Sequence, residues 1–170
     1  MNLHRMLAAR AEDDRPVRVG LIGSGKFGTM YLAQARTTVG VHVVGIADLE
    51  PDRIRSSLKA TGWDPARCCA QSVDHAITRG TTFVTDDADQ LIDCPKLDVV
   101  IEATGVPRAG INHCRRAIAA GHHVVMVTVE ADVVAGPLLA REARKAGVVY
   151  SLAWGDQPAL VAEHVDWART

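Results

Sequence analysis

Apolar residues along this chain fall into short blocks, separated by stretches with a helical period. Val17–Ile22 (VRVGLI) and Val41–Ala47 (VHVVGIA) are continuous, β-branched apolar runs, and residues 97–103 (LDVVIEA), 123–128 and 148–153 repeat the pattern. Such runs mark strands buried on both faces of a parallel sheet. Residues 81–85 make a further candidate strand. The intervening segments 26–38, 51–61, 71–79, 87–92, 108–120 and 132–146 read as helices. In the first of them Phe27, Met30, Tyr31 and Ala35 share one face. Pro51 suits a first helical turn, where its missing N–H costs nothing. Gly62, Gly121 and Gly147 sit where left-handed helix stops are expected. Strands alternating with helices imply parallel pairing through right-handed crossovers. About six such strands suit a doubly wound α/β sheet whose two halves flank a central crevice.

Two regions depart from that rhythm. Residues 63–80 insert Trp63, Pro65, Cys68, Cys69 and an extra helical stretch before the third strand. Residues 1–15 read as an arm or short helix with Leu3, Met6 and Leu7 on one stripe, suited to packing on a neighbouring domain or subunit. Residues 16–155 then form the sheet domain, and residues 156–170 begin a helix that reads as the start of a truncated connection.

Composition narrows the function classes. With 170 residues the chain has the length of one domain, and 48% hydrophobic with 23% charged residues is a soluble globular balance. A net charge of −1 and a pI of about 6.6 give no basic surface for nucleic acid or anionic membrane. Aromatics at 4% leave little for base stacking. No run approaches the roughly 18 apolar residues of a membrane span, and the N-terminus lacks a signal-peptide core. The four cysteines form no CxxC pair and are expected to be reduced and structural, with cytoplasm as the default location.

The chemistry concentrates after the first strand. Gly23-Ser24-Gly25-Lys26-Phe27-Gly28 fits GxGxxG and stands between a strand and a helix, the context this motif requires. Gly23 permits the tight turn, Gly25 lets a pyrophosphate approach the backbone, and Gly28 lets the helix lie close to the strands. Free N–H groups and the positive helix end then face the diphosphate. Asp48 ends the second strand about 20 residues later, where an acid can accept both adenosine ribose hydroxyls. A carboxylate there repels a 2′-phosphate, so NAD is favoured over NADP. Arg53 is the counter-indication, because a guanidinium could pair with that phosphate; a solvated helix residue is its simpler reading.

Ala103, Thr104, Gly105 and Thr128, at the ends of the fourth and fifth strands, form the nicotinamide side. Glu102 lies inside a strand, either paired in the crevice or on its rim, and needs a partner wherever it is buried. Asp132 reads as a helix N-cap. That leaves Glu130 as the one candidate functional acid, and the catalytic residues stay otherwise unassigned. His122 and His123 follow a helix stop and are expected to bond the helix end. His75 and His113 match no metal spacing, and no metal site or GxSxG elbow is expected.

These motifs together resemble the homoserine-dehydrogenase-like NAD(P)-dependent oxidoreductases that carry a C-terminal SAF domain, a group including a deoxyxylulose-phosphate-reductoisomerase-like enzyme. The resemblance rests on VRVGLIGSGKFGTM, AITRG, VTDDADQLI, DVVIEATGVPRAG, HHVVMVTVEADVVAGPLLA and GVVYSLAWGDQP, from Val17 to Pro158. It implies a Rossmann dinucleotide domain, a small-molecule substrate held by a missing domain, and a homo-oligomer in the full protein. It also implies that the 63–80 insert is a family feature; the fragment alone is expected to turn over poorly, because nothing in it closes the site against water. Departures bear on the substrate. TVEA lacks the lysine of TANK-like homoserine dehydrogenases, Ala131 replaces the lysine of the EKP sugar oxidoreductases, and Gly155-Asp156-Gln157-Pro158 replaces GDEP.

Three functions fit these residues: the cofactor module of an oxidoreductase, a stand-alone NAD(H)-binding redox sensor, and a lyase or isomerase with a bound nucleotide.

Overall fold

A computed structural model describes residues 2–153 and 157–169, without the side chains of 157–159. Six parallel strands form one sheet: β1 (Val17–Ile22), β2 (Val41–Ala47), β3 (Phe83–Thr85), β4 (Val99–Glu102), β5 (His123–Met126) and β6 (Tyr150–Leu152). Their spatial order is β3-β2-β1-β4-β5-β6. β1 therefore lies at the centre, with the chain moving to one side through β2 and to the other through β4. This reversal opens a crevice at the carboxyl ends of β1 and β4. β1 pairs in register from Val19↔Val99 to Ile22↔Glu102, so Glu102 stands level with the residue before the glycine turn.

Helices cover both faces. α2 (Lys26–Ala35) and α3 (Pro51–Ala60) pack Leu32, Ile54 and Leu58 against Leu21, Val43 and Ile46 on one face. On the other, α4 (Val73–Arg79), α5 (Asp89–Ile92), α6 (Pro107–Ala119) and α7 (Val129–Ala146) pack Leu91, Cys114, Ile118 and Leu139 against Val44, Val100 and Val124. Continuous apolar runs are required because both faces are covered. α5 approaches the sheet closely: Leu91 is fully buried against Gly45, where an added Cβ would overlap its Cδ2 atom.

The 63–80 insert is tied down rather than loose. Trp63 donates Nε1–H to the Leu32 carbonyl at 3.0 Å, anchoring the segment under α2. Ser72 caps α4 by accepting from the His75 amide at 3.1 Å, and Gly80 ends it at φ 65°. Ala70 forms a parallel bridge to Phe83, and the Thr82 amide donates to the Arg67 carbonyl at 2.7 Å.

Several expected boundaries move. The first long helix stops at Ala35 rather than 38, and β3 shortens to three residues. β5 ends at Met126, and α7 starts at Val129 with Thr128 as its N-cap. Asp132 is therefore not the cap; it lies inside the first turn and accepts from the Tyr150 hydroxyl at 2.6 Å. α1 (Leu3–Glu12) forms behind an Asn2 cap, but Leu3 and Met6 are exposed and the helix buries no residue. α8 spans Gln157–Ala168, and the 155–158 GDQP stretch lies outside the described residues and side chains. All four cysteines are free, and burial pushes the Cys114 thiol up. Among the described residues no helix is long and apolar enough to cross a membrane.

His122 does not bond the end of α6 through its ring. Its Nδ1 faces the Leu97 carbonyl at 2.9 Å and its Nε2 the Ile92 carbonyl at 2.7 Å, in a site 2% exposed. The ring thereby fastens the α5–β4 connection to β5. His122→Ala should remove the ring's N–H bond to a buried carbonyl and leave a cavity, at a cost of about 3 kcal/mol in urea unfolding. A loss under about 1 kcal/mol would show that water replaces the ring.

Candidate functional site

The glycine turn at the end of β1 is built by exclusion. Gly23 has φ 99°, and a Cβ there would overlap the Ala103 carbonyl just past β4. A side chain at Gly28 would overlap the Gly23 carbonyl, so α2 rests directly on the turn. Gly25 differs from both. Its φ is an ordinary −66°, and an added Cβ would meet nothing within 4 Å. What lies in front of Gly25 is open space.

That space belongs to a cavity of about 740 Å³ at the carboxyl ends of β1, β2 and β4, a usual volume for a small-molecule site. Gly25 is the N-cap of α2 and makes no side-chain cap hydrogen bond, and the first turn of α2 carries no acid. Helix-end N–H groups and the positive dipole end thus face the cavity without a capping carboxylate, an arrangement suited to phosphate. Lys26 is exposed at this helix start, and Phe27 turns its ring into the core and contributes only backbone here.

Asp48 is held in place by the same turn. Its Oδ2 accepts from the Ser24 amide and hydroxyl, both at 2.8 Å, and its Oδ1 accepts from the Glu50 amide at 3.0 Å. Burial works to raise the carboxyl pKa, but the bonds from Ser24 and Glu50, with the Arg53 charge, outweigh it and hold Asp48 below the usual range. Oδ2 already takes two bonds and Oδ1 one, so Oδ1 is the atom better placed to accept from a ligand. Behind the turn, Ser57 of α3 donates to the Ser24 carbonyl at 3.2 Å and lies 2.8 Å from the Thr29 hydroxyl, tying α3 to the glycine turn.

The second wall comes from β4 and α7. Thr104 lines the cavity, and Ala103 carries the carbonyl that Gly23 accommodates. Gly105, at φ 71°, donates its amide to the buried Thr128 hydroxyl at 3.0 Å. Glu102 is completely buried beneath this loop, and its Oε1 accepts from the Thr104 amide at 3.3 Å and hydroxyl at 2.5 Å. Farther back, burial and then the Asp132 hydrogen bond push the Tyr150 phenol up.

Gly23, Gly25, Asp48, Arg53, Ala103 and Thr104 all line the cavity. Gly105 and Thr128 support its wall from behind. Glu130 is exposed on the first turn of α7 and does not line it. Arg53 is turned to Glu50 at 2.9 Å. The structure adds Glu50, Asp86, Asp87 and Asp89 to the rim, and Val106, Ala109 and His113 from α6 and its approach. Asp86 and Asp87 follow β3 at the same sheet edge as Asp48, a placement that could have marked them from sequence. Val106, Ala109 and His113 fall at helical spacing, but nothing in the sequence distinguishes that face from a core face.

The homoserine dehydrogenase NAD-binding domain family matches residues 19–152. An inositol 2-dehydrogenase of Acidothermus cellulolyticus is 32% identical over 134 residues, covering 78% of this chain and 34% of that protein. Biliverdin reductase from Synechocystis, solved with biliverdin and NADP+, has a similar fold at TM-score 0.62 and 21% identity over 81% of this chain and 37% of its own. A homoserine dehydrogenase from Thiobacillus denitrificans has a similar fold at TM-score 0.59 and 20% identity, over 81% of this chain and 29% of its own. This chain spans about a third of the length of these relatives.

The Asp48 bonds give a signed prediction. A carboxyl held low in the folded state contributes stability above its unfolded pKa, and that contribution is lost as pH falls through the folded value. Ser24→Ala removes one of the bonds, so carbon NMR should find the Asp48 pKa shifted upward. The stability gap between wild type and variant should shrink as the solution is acidified. An unmoved Asp48 titration would mean that the hydroxyl contributes nothing to holding the carboxylate.

Proposed function

The chain belongs to the homoserine dehydrogenase NAD-binding domain family, and on that footing we propose that its crevice holds NAD in preference to NADP as the cofactor wall of an oxidoreductase. The observation that carries this reading is the open space at Gly25 before an uncapped helix start, with the Asp48 carboxylate on the same cavity. The pyrophosphate would lie against the amides at Gly25, Lys26 and Phe27, and Asp48 Oδ1 would accept one adenosine ribose hydroxyl. Cofactors of this class supply a transferable hydride; this chain's residues bind and orient the carrier.

The preference for NAD is electrostatic. A 2′-phosphate would enter a rim that carries Asp48, Glu50, Asp86, Asp87 and Asp89. Arg53 is the cation on that rim, and Glu50 already holds it. Family membership and the shared fold support the oxidoreductase assignment; the substrate and the residues that act on it are assigned to parts of the full protein outside this domain. Glu130, exposed away from the cavity, is not favoured as the catalytic acid.

Gly25→Val tests the central claim, because its side chain fills open space rather than packed structure. The variant should melt within a few degrees of wild type and bind NAD roughly a hundredfold more weakly by calorimetry, since blocked backbone contacts to a charged group cost about 3 kcal/mol. Retained affinity would sink the reading. Wild type should bind NADP roughly tenfold more weakly than NAD, and Asp48→Asn should narrow that ratio by relieving a like-charge contact.

A further inference from the structure

The dinucleotide reading uses the front of the crevice and leaves a buried acid behind it unexplained. Glu102 is fully buried, and its Oε2 has no hydrogen-bond partner among the described residues. A buried carboxylate oxygen without a partner is an expensive feature in a strand that would otherwise accept an apolar residue. A second orphan faces it. His113 of α6 has an unpartnered Nδ1, which lies 3.6 Å from the other Glu102 oxygen, just beyond hydrogen-bond reach.

Both residues bear on the cavity. His113 lines its wall, and Glu102 holds the 104–106 loop through both bonds from Thr104. Space for the carboxylate exists because residue 110 is glycine; a Cβ there would stand 2.8 Å from Oε2. A relative shift of under about 1 Å between α6 and β4 would convert the 3.6 Å approach into a hydrogen bond. The loop that joins β4 to α6 is the one a ligand in the crevice would touch, and a ligand favours whichever state it contacts better.

We propose that Glu102 is the positioning residue for the nicotinamide side of the crevice, and that filling this side joins it to His113 by a direct Nδ1–H to carboxylate hydrogen bond. The inference rests on the dinucleotide reading and extends it to residues that touch no part of the glycine turn. A carboxylate acceptor requires the His113 proton on Nδ1 and leaves Nε2 with the lone pair. Glu102→Gln can keep the Thr104 bonds through its carbonyl oxygen, which is also the atom nearest Nδ1, so the variant removes the charge from the His113 contact and keeps its geometry.

The test pairs binding with a spectroscopic signature. Calorimetry on the 170-residue chain compares NAD, ADP-ribose and 5′-AMP. Glu102→Gln should bind AMP and ADP-ribose within about twofold of wild type and NAD roughly tenfold more weakly, the loss expected for one charge-assisted contact. Nitrogen-15 spectra of histidine-labelled protein, with His113 assigned from a His113→Gln variant, should place the proton on Nδ1 when NAD is added to wild type. AMP should leave those resonances unchanged. Parallel losses for all three ligands, or no loss for any, overturn the inference, as does a His113 spectrum indifferent to NAD. If Glu102→Gln does not fold, the wild-type spectra decide alone. Wild type that binds none of the three ligands overturns the dinucleotide reading itself, and this inference with it.

Discussion

The architecture turns on one close approach. At the end of β1 the chain must leave the sheet while β4 lies directly alongside, and the Ala103 carbonyl occupies the place a Gly23 side chain would need. Only a residue without Cβ, in the left-handed region at φ 99°, satisfies both demands. Because β4 is added on the opposite side of β1 from β2, the winding of the sheet reverses between these two parallel strands and the crevice exists. Because Gly28 then lets α2 rest on the turn, the helix start opens into that crevice rather than over it.

Hydrogen bonding turns this geometry into a binding surface. Ser24 spends its amide and hydroxyl on Asp48, which joins the ends of β1 and β2 and fixes a negative charge on that side of the crevice. The three bonds to that carboxylate outweigh the burial that opposes its ionisation. A charge held this firmly needs no reorganisation when a ligand arrives. It also sets the sign of the surrounding rim, where the one guanidinium in reach is already paired with Glu50.

Much of this was legible in the residue pattern. β2 lies at its expected bounds, and the glycine turn and Asp48 fall on one cavity, because local signals and tertiary contacts agree there. Where they competed, the sequence misled. Thr128 and Asp132 are both capable N-caps. The cap position goes to Thr128, and Asp132, inside the first turn, accepts from the Tyr150 hydroxyl of β6. His122 sits one residue beyond a helix stop, where a bond to the helix end is the local expectation; the carbonyls it meets belong to Ile92 and Leu97, from segments 25 or more residues away. Glu102 carried no directional signal at all. In a strand covered on both faces, the residue pattern does not tell which covered face an acid enters.

The two walls of the crevice are built on opposite principles. On the adenosine side each Asp48 oxygen is engaged, and Ser57 and Thr29 brace the turn from behind. On the other side Glu102 Oε2 and His113 Nδ1 are both buried without a hydrogen-bond partner among the described residues, and the 104–106 loop hangs on Thr104 and on Gly105's bond to Thr128. A saturated network resists displacement, while an unsaturated one gains bonds when it moves. The nucleotide end of a dinucleotide is the same whatever reaction follows, and a rigid wall suits it. On the proposed reading the redox end would meet a substrate and release it, and the wall where bonds are still to be made is the one suited to move.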